Sequence, residues 1–214
     1  MNNYELSRDR AQDYFLSFDQ QQILDTWHLR SDAHWLYLDF LNRPYRICRS
    51  TGSIFRCWSG EQAGFNEVLS IFDLLCHEGS GKHISGNFAP VNSLKNRPRA
   101  IGVGTDFHTK TAAVFDRNPE LFQKVCLSLG ADPVPMGDLG FRFPLFRERS
   151  VIIKFYRSDD EFPAALTLLW DENTLQYMFY ETVFYIAGFL LSTLTEEMKQ
   201  HGVEPPCCTV YTSF

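Results

Sequence analysis

Residues 137–187 read GDLGFRFPLF RERSVIIKFY RSDDEFPAAL TLLWDENTLQ YMFYETVFYI A, and this stretch decides the architecture. Phe141, Phe143 and Leu145 alternate with Arg142 and Pro144. Val151, Ile153 and Phe155 alternate with Lys154 and Tyr156, and Leu166, Leu168 and Trp170 form a third face. A period of two sends successive side chains to opposite faces of a strand, so the three segments predict an antiparallel meander. The acidic corner Asp159-Asp160-Glu161 lies between the second and third. From Asn173 to Lys199 the period becomes helical. Leu175, Met178, Phe179, Val183, Ile186, Phe189, Leu190 and Leu194 share the inward side, and Tyr177, Tyr180 and Phe184 occupy another. A helix apolar around so much of its circumference is packed on two sides, against the sheet and against something else.

A second meander lies upstream in WLYLDFLNRPYRICRSTGSIFRCW, residues 35–58. Its strands are predicted at Trp35–Leu41, Tyr45–Arg49 and Ser53–Trp58. Gly52 suits the second turn because glycine takes positive φ cheaply, and Pro44, which has no N–H to donate, belongs at a strand's start. Helices are predicted over Tyr4–Phe18, Gln20–Leu29, Glu61–His77, Asp106–Phe115 and from Asn118-Pro119 through Leu129. Asn118 is placed as N-cap, Pro119 at the first helical position, and Gly79 and Gly81 after the end of the third helix. Lys82–Gly104 is rich in Gly, Pro and Asn and reads as a long loop. The expectation is one α+β domain over residues 1–214. Two antiparallel meanders form one sheet or two abutting sheets, helices cover them, and a long apolar helix ends the fold. The tail 202–214, broken by proline, is read as flexible.

Composition narrows the function classes. Hydrophobic residues are 44% and charged residues 21% of 214, a balance that builds a core rather than a disordered chain. A net charge of −6 without a Lys/Arg cluster argues against nucleic acid, whose backbone is bound by clustered cations. The longest apolar run, Val183 to Leu191, is about half of the ~20 residues that cross a bilayer, so no membrane partner is expected. The start carries no signal-peptide pattern. The six cysteines are scattered, and four sit in apolar or strand-like contexts where thiols act as small hydrophobes. A reducing cytoplasm is the expected location.

At FLNRPYRICRSTG (40–52), and again from Gly137 onward, the chain resembles an uncharacterised prokaryotic family, one of the domain-of-unknown-function families, common in anaerobes. The family pattern has a Gly-Arg-x-Tyr hairpin, a Gly-Asp before a Pro-rich strand, a polar strand ending in Asp-Glu-Phe-Pro, then Leu-Phe-Asp and a Tyr-x-x-x-Glu helix. The matching residues are Asn42-Arg43-Pro44-Tyr45, Gly137-Asp138, Asp160-Glu161-Phe162-Pro163, Leu169-Trp170-Asp171 and Tyr177 to Glu181. Asn42 stands where the family has Gly, and Trp170 where it has Phe. The resemblance implies no established activity. Some members are joined to an iron–sulfur-type cysteine module, but no cysteines of that spacing occur in this chain, so that redox association does not transfer.

Several residues carry candidate chemistry. Asp159, Asp160 and Glu161 could bind a cation or act as acid and base; the plainer reading is a solvated turn with Phe162 tucked beneath it and Pro163 opening the next strand. Glu181 lies on an apolar helix and would need a partner if buried, with Arg142 or Arg157 as candidates; ion-pair anchoring is favoured over catalysis. Cys76, His77, His83, Asp106 and His108 are zinc-ligand types at spacings that fit no structural zinc pattern, and His77 reads instead as a favourable charge at a helix C-terminus. Gly79-Ser80-Gly81-Lys82 lacks the order of a phosphate loop, and Gly102-Val103-Gly104 lacks the third glycine of a dinucleotide fingerprint. Cys207-Cys208 has no accompanying Cys-x-x-Cys and reads as an inert pair. No metal and no cofactor are expected.

Function is unknown at this level. The favoured expectation is a non-catalytic cytoplasmic binding or protein-interaction module that meets a partner chain, or a second copy as a homodimer, through Tyr177, Tyr180 and Phe184. The alternative is a small-molecule enzyme with a carboxylate-containing pocket between the 82–104 loop and Asp159–Glu161, drawing on Glu181, Arg142 and His77.

Overall fold

The computed structural model describes residues 3–77, 83–98 and 106–204. The chain opens with helices α1 (Asn3–Ser17) and α2 (Gln20–Trp27). Asp19 caps α2, its carboxylate accepting the N–H groups of Gln21 and Gln22. The first sheet follows, with strands β1 (Arg30–Ser31), β2 (Trp35–Phe40), β3 (Arg43–Cys48) and β4 (Ile54–Arg56) in sequential antiparallel order. Leu36, Leu38, Phe40, Tyr45, Ile47 and Ile54 form its buried face.

Helix α3 (Phe65–Cys76) starts four residues later than the helical period predicts. The cause is local: residues 61–63 turn back onto β4, where the Arg56 N–H donates to the Glu61 carbonyl and the Ala63 N–H to the Ile54 carbonyl. The predicted loop contains a strand, β5 (Phe88–Pro90), on the edge of the second sheet. Helices α4 (Asp106–Arg117) and α5 (Pro119–Ser128) come next. Asn118 sits at the cap position, but its amide donates back to the Val114 carbonyl instead of capping α5.

The second sheet is β6 (Asp132–Pro133), β7 (Leu139–Phe146), β8 (Arg149–Tyr156) and β9 (Ala165–Asp171), in the order β5-β9-β8-β7-β6 and antiparallel throughout. The two predicted meanders are therefore separate sheets, and the short strands β1, β5 and β6 extend them. Phe115 and Phe122 stack at 4.1 Å and meet Phe155, which ties α4 and α5 to the second sheet.

The closing helix α6 runs Tyr180–Gln200, seven residues shorter at its start than its apolar period predicts. The chain first makes a 3-10 turn at Thr174–Gln176, held by the Asp171 carboxylate accepting the Asn173 N–H. Tyr177 consequently precedes the helix and is buried, its hydroxyl 3.1 Å from that of Thr174, so it is no part of an aromatic helix surface. Phe179, expected inward, is 57% exposed. Val183, Ile186 and Leu190 are buried as predicted. Helix α6 packs against α3 and α5, and Phe189 stacks on Phe40 of β2. The second cover for α6 is thus α3; α1 packs on α3, where Phe15 stacks on Phe72. Among the described residues no helix is long and apolar enough to cross a membrane.

Candidate functional site

The site begins with a two-residue turn. Phe40 pairs with Arg43, leaving Leu41 and Asn42 between β2 and β3, both at positive φ (48° and 56°). That turn follows the twist of the strands, and asparagine tolerates it at little cost. The Asn42 amide donates to the Leu129 carbonyl at 3.3 Å. Gly130 lies under it at φ 80°; a Cβ there would sit 1.9 Å from the amide nitrogen. The Leu41 N–H donates to the Leu145 carbonyl at 2.9 Å, joining the first sheet to the second. A cleft lies on each side of this turn, and Asn42 and Pro44 line both.

The larger cleft, about 820 Å³, opens between the first sheet, the end of α5 and the outer side of α6. Trp58, 46% exposed, stands in its wall. Arg43 lies over the indole at 5.2 Å and donates to Glu197 of α6 at 2.8 Å. Arg56 forks onto Glu67, a carboxylate only 2% exposed, and reaches Glu61 at 3.3 Å. Glu67 also accepts the Tyr45 hydroxyl at 2.7 Å and the Gly64 N–H at 2.7 Å. Hydrogen bonding to Glu67 pushes the Arg56 guanidinium further up, and burial beside that carboxylate pushes the Tyr45 phenol up. Both arginines of this cleft are therefore neutralised and fixed.

The smaller cleft, about 680 Å³, lies at the seam of the two sheets, along the part of β2 that β1 leaves unpaired. Arg30, Tyr37 and Asp39 line it from the first sheet, and His28 and Arg147 from the turns on either side. Arg147 donates to the His28 carbonyl at 2.8 Å.

The residues expected to form a carboxylate pocket do not meet. Asp159, Asp160 and Glu161 are exposed, and the Asp159 carboxylate accepts the N–H groups of Glu161 and Phe162 at 2.9 and 2.7 Å. Those bonds lower its pKa and make the run a self-capped turn. Phe162, expected beneath the turn, is 65% exposed. The turn precedes the first residue of β9, whereas the described part of the 82–104 loop is tied to the last: Asp171 accepts the N–H groups of Ser85 and Gly86 at 2.8 Å each. The seven residues of the strand separate the two by about 20 Å. Glu181 is exposed in the first turn of α6 and pairs with neither arginine; Arg142 lies over the Phe88 ring and Arg157 reaches Asp116 at 3.6 Å. His77 closes α3 edge-on to the Phe179 ring, 4.8 Å between centroids.

Several polar residues escaped the sequence reading. Asp73 of α3 is 8% exposed and accepts the Phe179 N–H at 2.8 Å, so it caps α6 from a neighbouring helix. Burial pushes its carboxyl up, against the hydrogen bonds from Thr182 and Phe179. Arg149 is buried with its guanidinium over the rings of Trp27 (4.7 Å) and Tyr177 (4.4 Å). Asp171 and Asp138 hold turns, the latter accepting the Arg157 N–H at 2.8 Å. The partners of Asp73 and Arg149 come from other elements, so no sequence spacing announces them, and Asp138 and Asp171 were read only as parts of a family pattern.

The thiols are divided. Cys76 and Cys126 are buried, and burial pushes the first up to about 12. Cys48 is half-buried, and hydroxyls of Ser50 and Thr51 lower it to about 7; Cys57 is exposed, contrary to its reading as a core hydrophobe. Among the described residues no three His, Cys, Asp or Glu side chains gather for a metal. Gly79–Lys82, Gly102–Gly104 and Cys207-Cys208 lie outside the described residues.

No curated protein and no solved structure matches the chain. The sequence profile of the family described as Domain of unknown function (DUF3786) matches residues 19–193, from the cap of α2 into α6, and the chain belongs to that family.

Proposed function

We propose that the protein is a non-catalytic, cytoplasmic binding module whose ligand seats in the larger cleft beside Trp58. The observation that carries this reading is an indole 46% exposed in the wall of a cleft of about 820 Å³, a volume suited to a small molecule. Aromatic side chains left open in a concave wall supply a flat apolar contact and leave polar groups around it to set orientation. Ser192 and Thr193 bring hydroxyls from α6, and Gln200 an amide. With both arginines already paired, the ligand is a neutral molecule that presents a ring face and hydrogen-bonding groups. The lining holds no cysteine or histidine, and its two carboxylates are engaged, Glu197 with Arg43 and Glu196 with Lys199 at 3.8 Å. A general base or nucleophile would need a side chain free to act. Self-association through α6 is left out of this reading, because Tyr177 is in the core and Tyr180 and Phe184 are half-buried against each other.

The test is a nuclear magnetic resonance titration with glucose and with nicotinamide as neutral ring-bearing probes at millimolar concentration. Expected are shifts confined to the Trp58 indole, Ser192, Thr193 and Gln200, abolished by Trp58→Ala. Shifts scattered over the surface, or none with either probe, would overturn the reading.

A further inference from the structure

Four arginines line the two clefts beside the 41–42 turn and a fifth, Arg46, stands on the same sheet; they differ in what holds them. Arg43 and Arg56, on the larger cleft, are held by carboxylates. Arg30 and Arg147, on the seam cleft, and Arg46, on the outward face of the first sheet, are held by neutral groups. The Arg30 guanidinium lies over the Tyr37 ring at 5.9 Å. Arg147 donates to the His28 carbonyl. Arg46 lies over Trp35 at 4.5 Å and Phe55 at 5.9 Å, and its buried Nε has no hydrogen-bond acceptor. None of the three has a carboxylate within ion-pair distance among the described residues; the acids nearby are Asp39 in the cleft lining and Asp32, which accepts the Tyr37 hydroxyl at 2.8 Å.

The register explains why they gather. Arg30 pairs with Tyr37, Tyr37 with Arg46, and Arg46 with Phe55, so one row of alternating cations and rings crosses all four strands of the first sheet. The row lies on the outward face, since the intervening residues Leu36, Leu38, Tyr45 and Ile47 are buried. It ends in the seam cleft, where Arg30 and Tyr37 are joined by Arg147 and His28. Arg147 reaches this place because it sits at φ 53° in the β7–β8 turn, and His28 because it ends α2 in the left-handed conformation at φ 48°. Asp39 is the one carboxylate of the lining; two arginines against one aspartate leave one net positive charge. This local excess stands on a chain whose net charge is −6.

We infer that the seam cleft is a binding site for a small multivalent anion bearing carboxylate or phosphate groups, bridged between the guanidinium groups of Arg30 and Arg147. Guanidinium forks bind planar and tetrahedral oxyanions through paired charge-assisted hydrogen bonds, and here the rings and the carbonyl hold the forks in place without spending their charge. A cleft of about 680 Å³ admits a molecule the size of citrate or a sugar phosphate. The site lies across the turn from Trp58 and uses none of the residues assigned to the larger cleft's ligand, so either assignment can fail without the other.

The experiment is calorimetric titration and thermal melting of the full chain with citrate and with inorganic pyrophosphate, against sodium chloride at matched ionic strength. Both anions are expected to bind and raise Tm, chloride is not, and the stronger of the two identifies carboxylate or phosphate as the preferred group. Arg30→Gln with Arg147→Gln should weaken binding by at least about tenfold, while Arg43→Gln leaves it unchanged. If the double variant misfolds, Arg30→Gln alone keeps the test, because among the described residues that guanidinium is held by the Tyr37 ring and by no ion pair. Equal loss in Arg43→Gln, or a Tm rise that chloride reproduces, would overturn the assignment.

Discussion

The two clefts beside the 41–42 turn use the same side chain in opposite ways. On the α6 side, Arg43 and Arg56 are each fixed by a glutamate, and Glu67 is itself buried and shared with Tyr45 and Gly64. On the seam side, Arg30 and Arg147 are fixed by an aromatic ring and a backbone carbonyl. A carboxylate partner cancels the charge and makes the arginine part of the framework. A neutral partner restrains the guanidinium and leaves its charge for something else. The difference teaches that a count of cationic residues near a cleft says little until each partner is known.

The comparison can be broken or sharpened by mutation. The largest effect is expected for Leu190→Ala, which removes a side chain 2% exposed from the helix that walls the larger cleft and should cost about 2–5 kcal/mol. Urea unfolding measures it, and a variant as stable as the parent would mean that α6 is not the support described. Next is Glu67→Ala, at about 3 kcal/mol. It strips the Tyr45 hydroxyl and Arg56 of their acceptor, though Arg56, 26% exposed at its side chain, recovers some solvation. Denaturant midpoints equal to those of the parent would remove Glu67 from the framework. Gly130→Ala should cost about 1–2 kcal/mol, since it places a Cβ at φ 80° against Asn42, the wall common to both clefts.

Asp73 supplies a pH test of the α6 side alone. Its folded pKa lies above the ordinary value of 3.8. The folded state therefore takes up this proton more readily than the unfolded chain. The stability it contributes is full below about pH 4 and is lost as pH rises through the folded pKa. Unfolding free energies of the parent minus those of Asp73→Asn should fall over that window, and a flat difference would show that burial does not hold the carboxyl up. The smallest effect belongs to the seam: Arg30→Ala and Arg147→Ala should each stay within about 0.5 kcal/mol, because both side chains are exposed and neither is in an ion pair among the described residues. A larger loss in a melting experiment would make the seam arginines structural and erase the contrast.

The strand cores were legible because alternation of bulky residues has one physical reading. Phe141, Phe143, Val151, Ile153 and Phe155 are buried on the strands expected to carry them. The start of α6 was not legible. Tyr177, Tyr180 and Phe184 keep a helical spacing even though Tyr177 belongs to a turn that Asp171 and Thr174 hold. The clefts were hidden for another reason. Glu67 and Arg56 are 11 residues apart and Arg43 and Glu197 154, so their pairing depends on how elements dock rather than on any local pattern. The row Arg30–Tyr37–Arg46–Phe55 was hidden too: the predicted strand bounds put three residues, 42–44, in a turn that holds only Leu41 and Asn42, which shifts the register, and the two-residue strand that carries Arg30 has no alternation to announce it. The acidic corner misled in the other direction: a dense run of charge drew notice, and its first carboxylate is spent on its own backbone.

The turn at Leu41-Asn42 has a thermodynamic consequence of its own. It is the shared boundary of both clefts and carries the hydrogen bond from Leu41 to Leu145 that joins the two sheets. Any movement of the tip on filling one side changes the shape of the other. Two such sites obey a reciprocity: the factor by which an occupant of the seam alters affinity beside Trp58 equals the factor in the reverse direction. A binding isotherm measured on either side, with and without saturation of the other, reads that coupling directly. A factor of one would mark the hairpin tip as a rigid partition, and any other factor a lever between two ligands.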